Sequence, residues 1–163
     1  MTSPEAPAAL AFSADNCTIG RSMGILGEKW TFLMLREVFN GIRRFDDMRA
    51  RTGINRQVLT DRLARLVDQD VLTKVPYQVP GSRPRHEYRL TEKGFDLYRV
   101  LVAIADWGDR YLADPEGPPI EFTHRECGAR VHATLVCDAG HRVDDDLRQV
   151  LPTPGPGVRL REA

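Results

Sequence analysis

Gly41-Ile42-Arg43-Arg44-Phe45-Asp46-Asp47-Met48 opens one short helix, Thr52-Gly53-Ile54-Asn55 makes a tight turn, and Arg56 to Asp70 reads as a second helix. Directly after it come Val71 to Val79, a Pro80-Gly81-Ser82-Arg83-Pro84 tip and Arg85 to Leu90. The two flanking runs alternate loosely, as half-buried strands do, and the prolines and glycine between them mark a turn. A helix presented after a short turn fits the major groove of duplex DNA. A charged hairpin beside it can grip the backbone or the minor groove. The pattern predicts a winged helix-turn-helix.

Within the second helix, Leu59, Leu63, Leu66 and Val67 fall on one face and are expected to pack on the preceding helices. Asn55 is a good N-cap. Gln57, Asp61 and Arg65 lie opposite the apolar face, flanked by Arg56 and Thr60. Arg, Asn and Gln can each make paired hydrogen bonds to purine edges, so Asn55, Arg56, Gln57 and Thr60 are the candidate base contacts. Arg62 and Arg65 are candidates for phosphate, as are Arg83 and Arg85 at the hairpin tip. Arg44, ahead of the first helix of the motif, completes the DNA-contact set. Pro76, which has no N–H, suits a strand edge. His86 is expected to pack or hydrogen-bond inside the hairpin.

Outward from this segment, residues 1–14 are rich in Pro, Ala and Ser and read as a loose arm. Asn16 is the expected cap of a short helix through Gly24. Another helix starts near Glu28, carries Trp30, Leu33, Met34 and Val38 at spacings of three and four, and closes at Asn40-Gly41. Trp30 on that stripe reads as a core anchor. After the hairpin, Thr91 caps a helix to about Leu112, roughly 33 Å long. It bears two apolar stripes: Phe95, Tyr98, Val102 and Ala105, then Leu97, Leu101, Ile104 and Tyr111. One stripe covers the domain's own core. The other needs a second surface, either a twin subunit or the tail of the same chain. A twin subunit would set two reading helices about 34–36 Å apart, one turn of DNA.

The 163 residues suffice for one domain plus an appendage, and 42% of them are hydrophobic, enough for a core. No run of about 18 apolar residues is present, which argues against a membrane span. Met1 to Pro7 lacks the basic start and apolar stretch of a secretory signal, so a cytoplasmic location is expected. Three cysteines are an odd number and fit free thiols or metal ligands better than a disulfide framework. The formal net charge is zero, but its distribution is uneven. Residues 43–65 hold seven arginines against three aspartates, whereas residues 114–146 hold eight acids against three arginines. DNA responds to the local field, which is screened only beyond about 8 Å.

With these residues in view, the chain resembles the HxlR-type transcriptional regulators, a branch of the MarR-like winged-helix proteins. The matching pieces are Cys17, Gly27-Glu28-Lys29-Trp30-Thr31, Arg44-Phe45, Gly53-Ile54 and Leu59-Thr60-x-Arg62-Leu63. Val79-Pro80, Glu87-Tyr88-x-Leu90-Thr91-x-Lys93-Gly94 and Trp107 complete them, so the match spans residues 15–112. The resemblance implies a homodimer that represses or activates nearby genes with its reading helix in the major groove. Several members of the family look like thiol sensors with a cysteine at the position of Cys17. That chemistry needs a thiolate near positive charge or a helix N-terminus. The alternative for Cys17 is a small, partly buried residue.

Pro115-Glu116-Gly117-Pro118-Pro119 reads as a linker, and residues 113–163 as a linker plus a small β unit with its strand pair over 128–136. His124, Cys127, Cys137 and His141 are a candidate set for a structural zinc. Tails on similar regulators often look like a zinc ribbon, but Gly140 stands here where the second cysteine of the second knuckle belongs. The alternative is a small hairpin with two unrelated thiols, and no cofactor is required by the reading.

The fold expected is therefore α+β, mostly α: a winged helix-turn-helix with a long C-terminal dimerisation helix and a small β-rich tail. The function expected is a sequence-specific DNA-binding transcriptional regulator, a homodimer whose affinity is set by a small-molecule effector or thiol oxidation. A winged helix used only for protein–protein contact is the alternative. No nucleophile elbow, phosphate loop or carboxylate pair on one helix face points to an enzyme.

Overall fold

The computed structural model describes residues 12–81, 83–144 and 146–161. The arm expected over residues 1–14 lies outside this range up to residue 11. The elements run α1 (Thr18–Leu26), α2 (Lys29–Phe39), α3 (Phe45–Thr52), α4 (Arg56–Asp68), β1 (Leu72–Tyr77), β2 (Arg85–Leu90) and α5 (Glu92–Leu112). β1 and β2 form an antiparallel pair, Leu72 opposite Leu90 and Tyr77 opposite Arg85. This is the expected mostly helical winged helix-turn-helix. No helix among the described residues is long and apolar enough to cross a membrane.

Local chemistry sets the boundaries. Gly53 ends α3 at φ +66°, a left-handed conformation that is costly for a residue with a Cβ. Two residues later the Asn55 carboxamide oxygen accepts the Gln57 N–H at 2.8 Å and starts α4. The Thr91 hydroxyl oxygen accepts the Gly94 N–H at 3.0 Å and starts α5 in the same way. The apolar spacing of α4 places Leu59, Leu63 and Leu66 in one buried cluster with Met34, Leu35 and Val38 of α2 and Met48 of α3. Val71 and Leu72 carry that core into the hairpin, and Trp30 packs partly buried against it, as expected.

A charged group also lies inside. Glu37 is fully buried, and its carboxylate takes hydrogen bonds from Arg36 at 2.6 Å and Arg51 at 2.6 Å. Burial alone would raise its pKa, but these hydrogen bonds and the guanidinium charges outweigh burial and hold it below the usual carboxylate range. The pair from Arg51 pins α3 to α2, the platform on which α4 sits.

Several expectations are corrected. Cys17, not Asn16, occupies the N-cap of α1, with no side-chain cap bond, and the helix continues to Leu26. The Asn16 amide instead donates to the Gly157 carbonyl at 2.6 Å, drawn away by the C-terminal segment. α4 ends at Asp68, because the chain turns through Asp70 at φ +54° into β1. His86 is exposed rather than packed inside the hairpin. Neither stripe of α5 is buried along its whole length. Leu101 and Val102 are buried and Leu97 packs on the core, whereas Phe95 is exposed. Ile104 and Tyr111, in its second half, are exposed as well, so the core is met chiefly through Leu97, Leu101 and Val102.

The tail does not form the strand pair expected over 128–136. Two separate bridges, Thr123–Arg130 and Val136–Arg142, replace it, with a short 3-10 helix at Leu147–Gln149. Each bridge closes a tight turn, through the bonds Gly128 N–H to His124 O at 2.8 Å and Gly140 N–H to Cys137 O at 2.8 Å. Longer strands would have no apolar face to bury, since Val131, Leu135 and Val136 are all exposed.

Candidate nucleic-acid interface

α4 buries one face and presents Arg56, Gln57, Thr60 and Asp61 on the other. Beside its N-terminus, a groove of about 700 Å³ separates it and α3 from the hairpin. Four of the predicted DNA-contact residues line this groove: Arg44, Arg56, Arg83 and Arg85. Two of them stack on rings, Arg44 over Tyr77 at 4.4 Å and Arg56 over Phe45 at 5.4 Å. Stacking leaves a guanidinium edge free for a phosphate or a base while fixing its plane. Arg85 pairs with Asp46 across the groove at 3.0 Å, an exposed contact that a phosphate can displace.

The remaining predicted residues are placed differently from one another. Asn55 spends its carboxamide oxygen on capping α4, and the Thr60 hydroxyl donates to the Arg56 carbonyl at 2.9 Å. Arg62 points back to Glu28 at 3.3 Å with its stem largely buried, and Arg65 donates to the Gly24 carbonyl of α1. These two arginines brace α4 against α1 and the start of α2. The basic face that looks outward is made by Arg44, Arg56, Arg83 and Arg85.

Sequence reasoning missed the partners of this face. Phe45 and Tyr77 supply ring surfaces, Asp46 restrains Arg85, and Asp61 takes a hydrogen bond from Gln57 at 2.8 Å. Only the last was detectable beforehand, since residues four apart on a helix are neighbours. The others join segments distant in sequence.

Cys17 is exposed at the start of α1. In the tail, His124 Nδ1 lies 3.3 Å from Cys127 Sγ, and the Cys137 N–H bonds to the His141 carbonyl at 3.0 Å. The four donors thus form two separate turns. Among the described residues, no three His, Cys, Asp or Glu side chains are grouped to hold a metal ion.

Comparison with known proteins agrees with this geometry. Residues 25–135 match the model of the HxlR-like helix-turn-helix family, reaching beyond the stretch 15–112 into the tail. The chain is 43% identical over 147 residues to an uncharacterized HTH-type transcriptional regulator of Mycobacterium tuberculosis, covering 90% of both proteins. Among solved structures it is similar to PA1607, a candidate transcription factor, with a TM-score of 0.75, 29% identity, and 86% and 96% of the two chains covered. The redox regulator HypR in its oxidized form has a TM-score of 0.53 at 26% identity, over 60% of this chain and 100% of that one. The chain belongs to the HxlR-like helix-turn-helix family and is a transcriptional regulator of helix-turn-helix type.

Proposed function

We propose that this regulator binds duplex DNA sequence-specifically as a homodimer, with its affinity set by a small-molecule effector or by oxidation of Cys17. α4 enters the major groove and the β1–β2 hairpin holds the adjacent backbone. The observation that carries the reading is the outward face of α4, with Arg56 and Gln57 beside a groove lined by four arginines. In this reading the chain binds and does not catalyse.

The test is binding across a salt series. Each phosphate neutralised contributes about −0.9 to the slope of log affinity against log salt. Arg83→Ala should weaken all sequences evenly and lower the slope by about one per protomer, whereas Gln57→Ala should relax preference at one base position. Weak binding that ignores salt would overturn the reading and favour a protein–protein module. Equal, sequence-independent losses in both variants would overturn the placement of α4.

Homodimerisation is supported by α5. Val100, Ile104, Trp107 and Tyr111 form a stripe of exposed apolar side chains along it. The described residues of the tail leave this stripe exposed. They pack on a neighbouring face, through Phe122 against Tyr98, the Ala133 N–H to Asp106 at 2.6 Å, and Arg130 near Asp109 at 3.7 Å. A second copy would supply the missing surface.

Thiol control is supported by the exposure of Cys17 at a helix start, where a thiolate faces the positive end of the dipole, and by the likeness to the redox regulator. Cys17→Ser should retain DNA affinity and lose any response to diamide. A diamide response unchanged in that variant would exclude this thiol as the sensor.

A further inference from the structure

The outward side chains at the start of α4 are not equally available. The Asn55 oxygen is committed to the helix cap and the Thr60 hydroxyl to the Arg56 carbonyl, while the Arg56 guanidinium, its plane fixed over Phe45, keeps its edge free. Gln57 remains as the exposed amide, and among the described residues its one side-chain hydrogen bond runs from Nε2 to Asp61 Oδ1 at 2.8 Å. The orientation of that amide follows from chemistry. An ionised carboxylate only accepts hydrogen bonds, so it is the NH2 end of Gln57 that turns toward Asp61.

We propose that Asp61 is the positioning residue for base selection, holding the Gln57 amide in the one orientation that reads adenine. This rests on α4 being the DNA reader. With one N–H committed to Asp61, the amide retains one N–H and its Oε1. That donor–acceptor pair is complementary to adenine, whose N7 accepts and whose N6 amino group donates. Guanine offers two acceptors, N7 and O6, on the same edge. A freely rotating Gln57 could turn more of its NH2 toward them, whereas one held by Asp61 cannot. The carboxylate itself also repels the guanine edge and the phosphates. Asp61 therefore lowers general affinity for DNA and raises discrimination.

The experiment is selection of bound duplexes from a random pool with the full-length wild type, Gln57→Ala, Asp61→Ala and Asp61→Asn, followed by affinities at one fixed salt concentration. The wild type should select adenine at one position of each half-site, preferring it over guanine by about fivefold to a hundredfold. Gln57→Ala and Asp61→Ala should both erase that preference, at the same position and without additivity. Asp61→Ala should also bind unrelated DNA a few-fold more tightly. Asp61→Asn, which keeps an acceptor oxygen without the charge, should restore the adenine preference while retaining the tighter general binding. Asp61 is exposed, so thermal melting of all variants should match the wild type.

A change at a different base position in Asp61→Ala would show that Asp61 reads its own base, and would overturn the proposal. So would an intact adenine preference in Asp61→Ala, or a failure of Asp61→Asn to restore it. If the wild type enriches no sequence at all, the DNA-reading function falls, and the proposal with it.

Discussion

Ile104→Asp is expected to turn the protein into a monomer and to lower its affinity for a two-half-site operator by two orders of magnitude or more. Ile104 is 46% exposed within one protomer, and Trp107 and Tyr111 are each 59% exposed along the same stripe. A side chain so placed contributes little to the fold of its own chain, so melting of the isolated subunit should barely change. In the proposed dimer the same position would be buried, and an uncompensated carboxylate there would cost several kcal/mol. Stable interfaces bury about 1,200–2,000 Å² in total, which large side chains such as Trp107 and Tyr111 help to reach. Separating the readers removes the gain from linking two binding events, about 10²–10⁴ in affinity. Sedimentation should report a mass near 18.4 kDa for the variant, against about twice that for the wild type. A variant that stays dimeric with full affinity would show that the subunits meet elsewhere.

Gly94→Ala should destabilise the fold by about 3 kcal/mol, the upper end for overpacking. In an ordinary helix interior the same change is favourable by up to about 1 kcal/mol, so the sign itself is informative. A Cβ on Gly94 would stand 2.2 Å from the Val71 carbonyl oxygen and 3.1 Å from Leu90 Cδ2. That carbonyl cannot easily retreat, because it accepts the Thr91 N–H at 3.2 Å and the Thr91 hydroxyl at 3.2 Å. Relief requires the first turn of α5 to lift away from the junction of α4 and β1. For a domain of this size the loss corresponds to a fall in Tm of about 6–12 °C. A melting curve within about 2 °C of the wild type would contradict this packing.

The elements that local chemistry decides were readable in advance. Asn55 and Thr91 cap where their side chains and spacing say they should, and Leu59, Leu63 and Leu66 bury the face that their period marks. The hairpin and its turn follow from Pro80, Gly81 and Pro84 between alternating runs. What was not readable depends on partners distant in sequence. Glu37 sits in a run that gives no sign of a buried acid until Arg51 arrives from α3. Arg62 and Arg65 look like free cations on a helical wheel, yet Glu28 and the Gly24 carbonyl claim them. On α5, both apolar stripes look alike by period, and only the position of α2 and of the hairpin decides that Leu97, Leu101 and Val102 are covered while Phe95 is not. Gly94 belongs to a motif in the sequence, and the Val71 carbonyl, 2.2 Å from where a Cβ would stand, is the physical reason for a residue without a side chain there.

Two copies of this chain are proposed to read DNA together. Footprinting of the best duplex from a random pool, with the protein-to-DNA stoichiometry measured on the same complex, tests it most directly. Two protomers are expected on two inverted half-sites whose centres lie about one helical turn, 34–36 Å, apart or a whole multiple of that. A single protomer on a single site, or a pool from which no sequence is enriched, would contradict it.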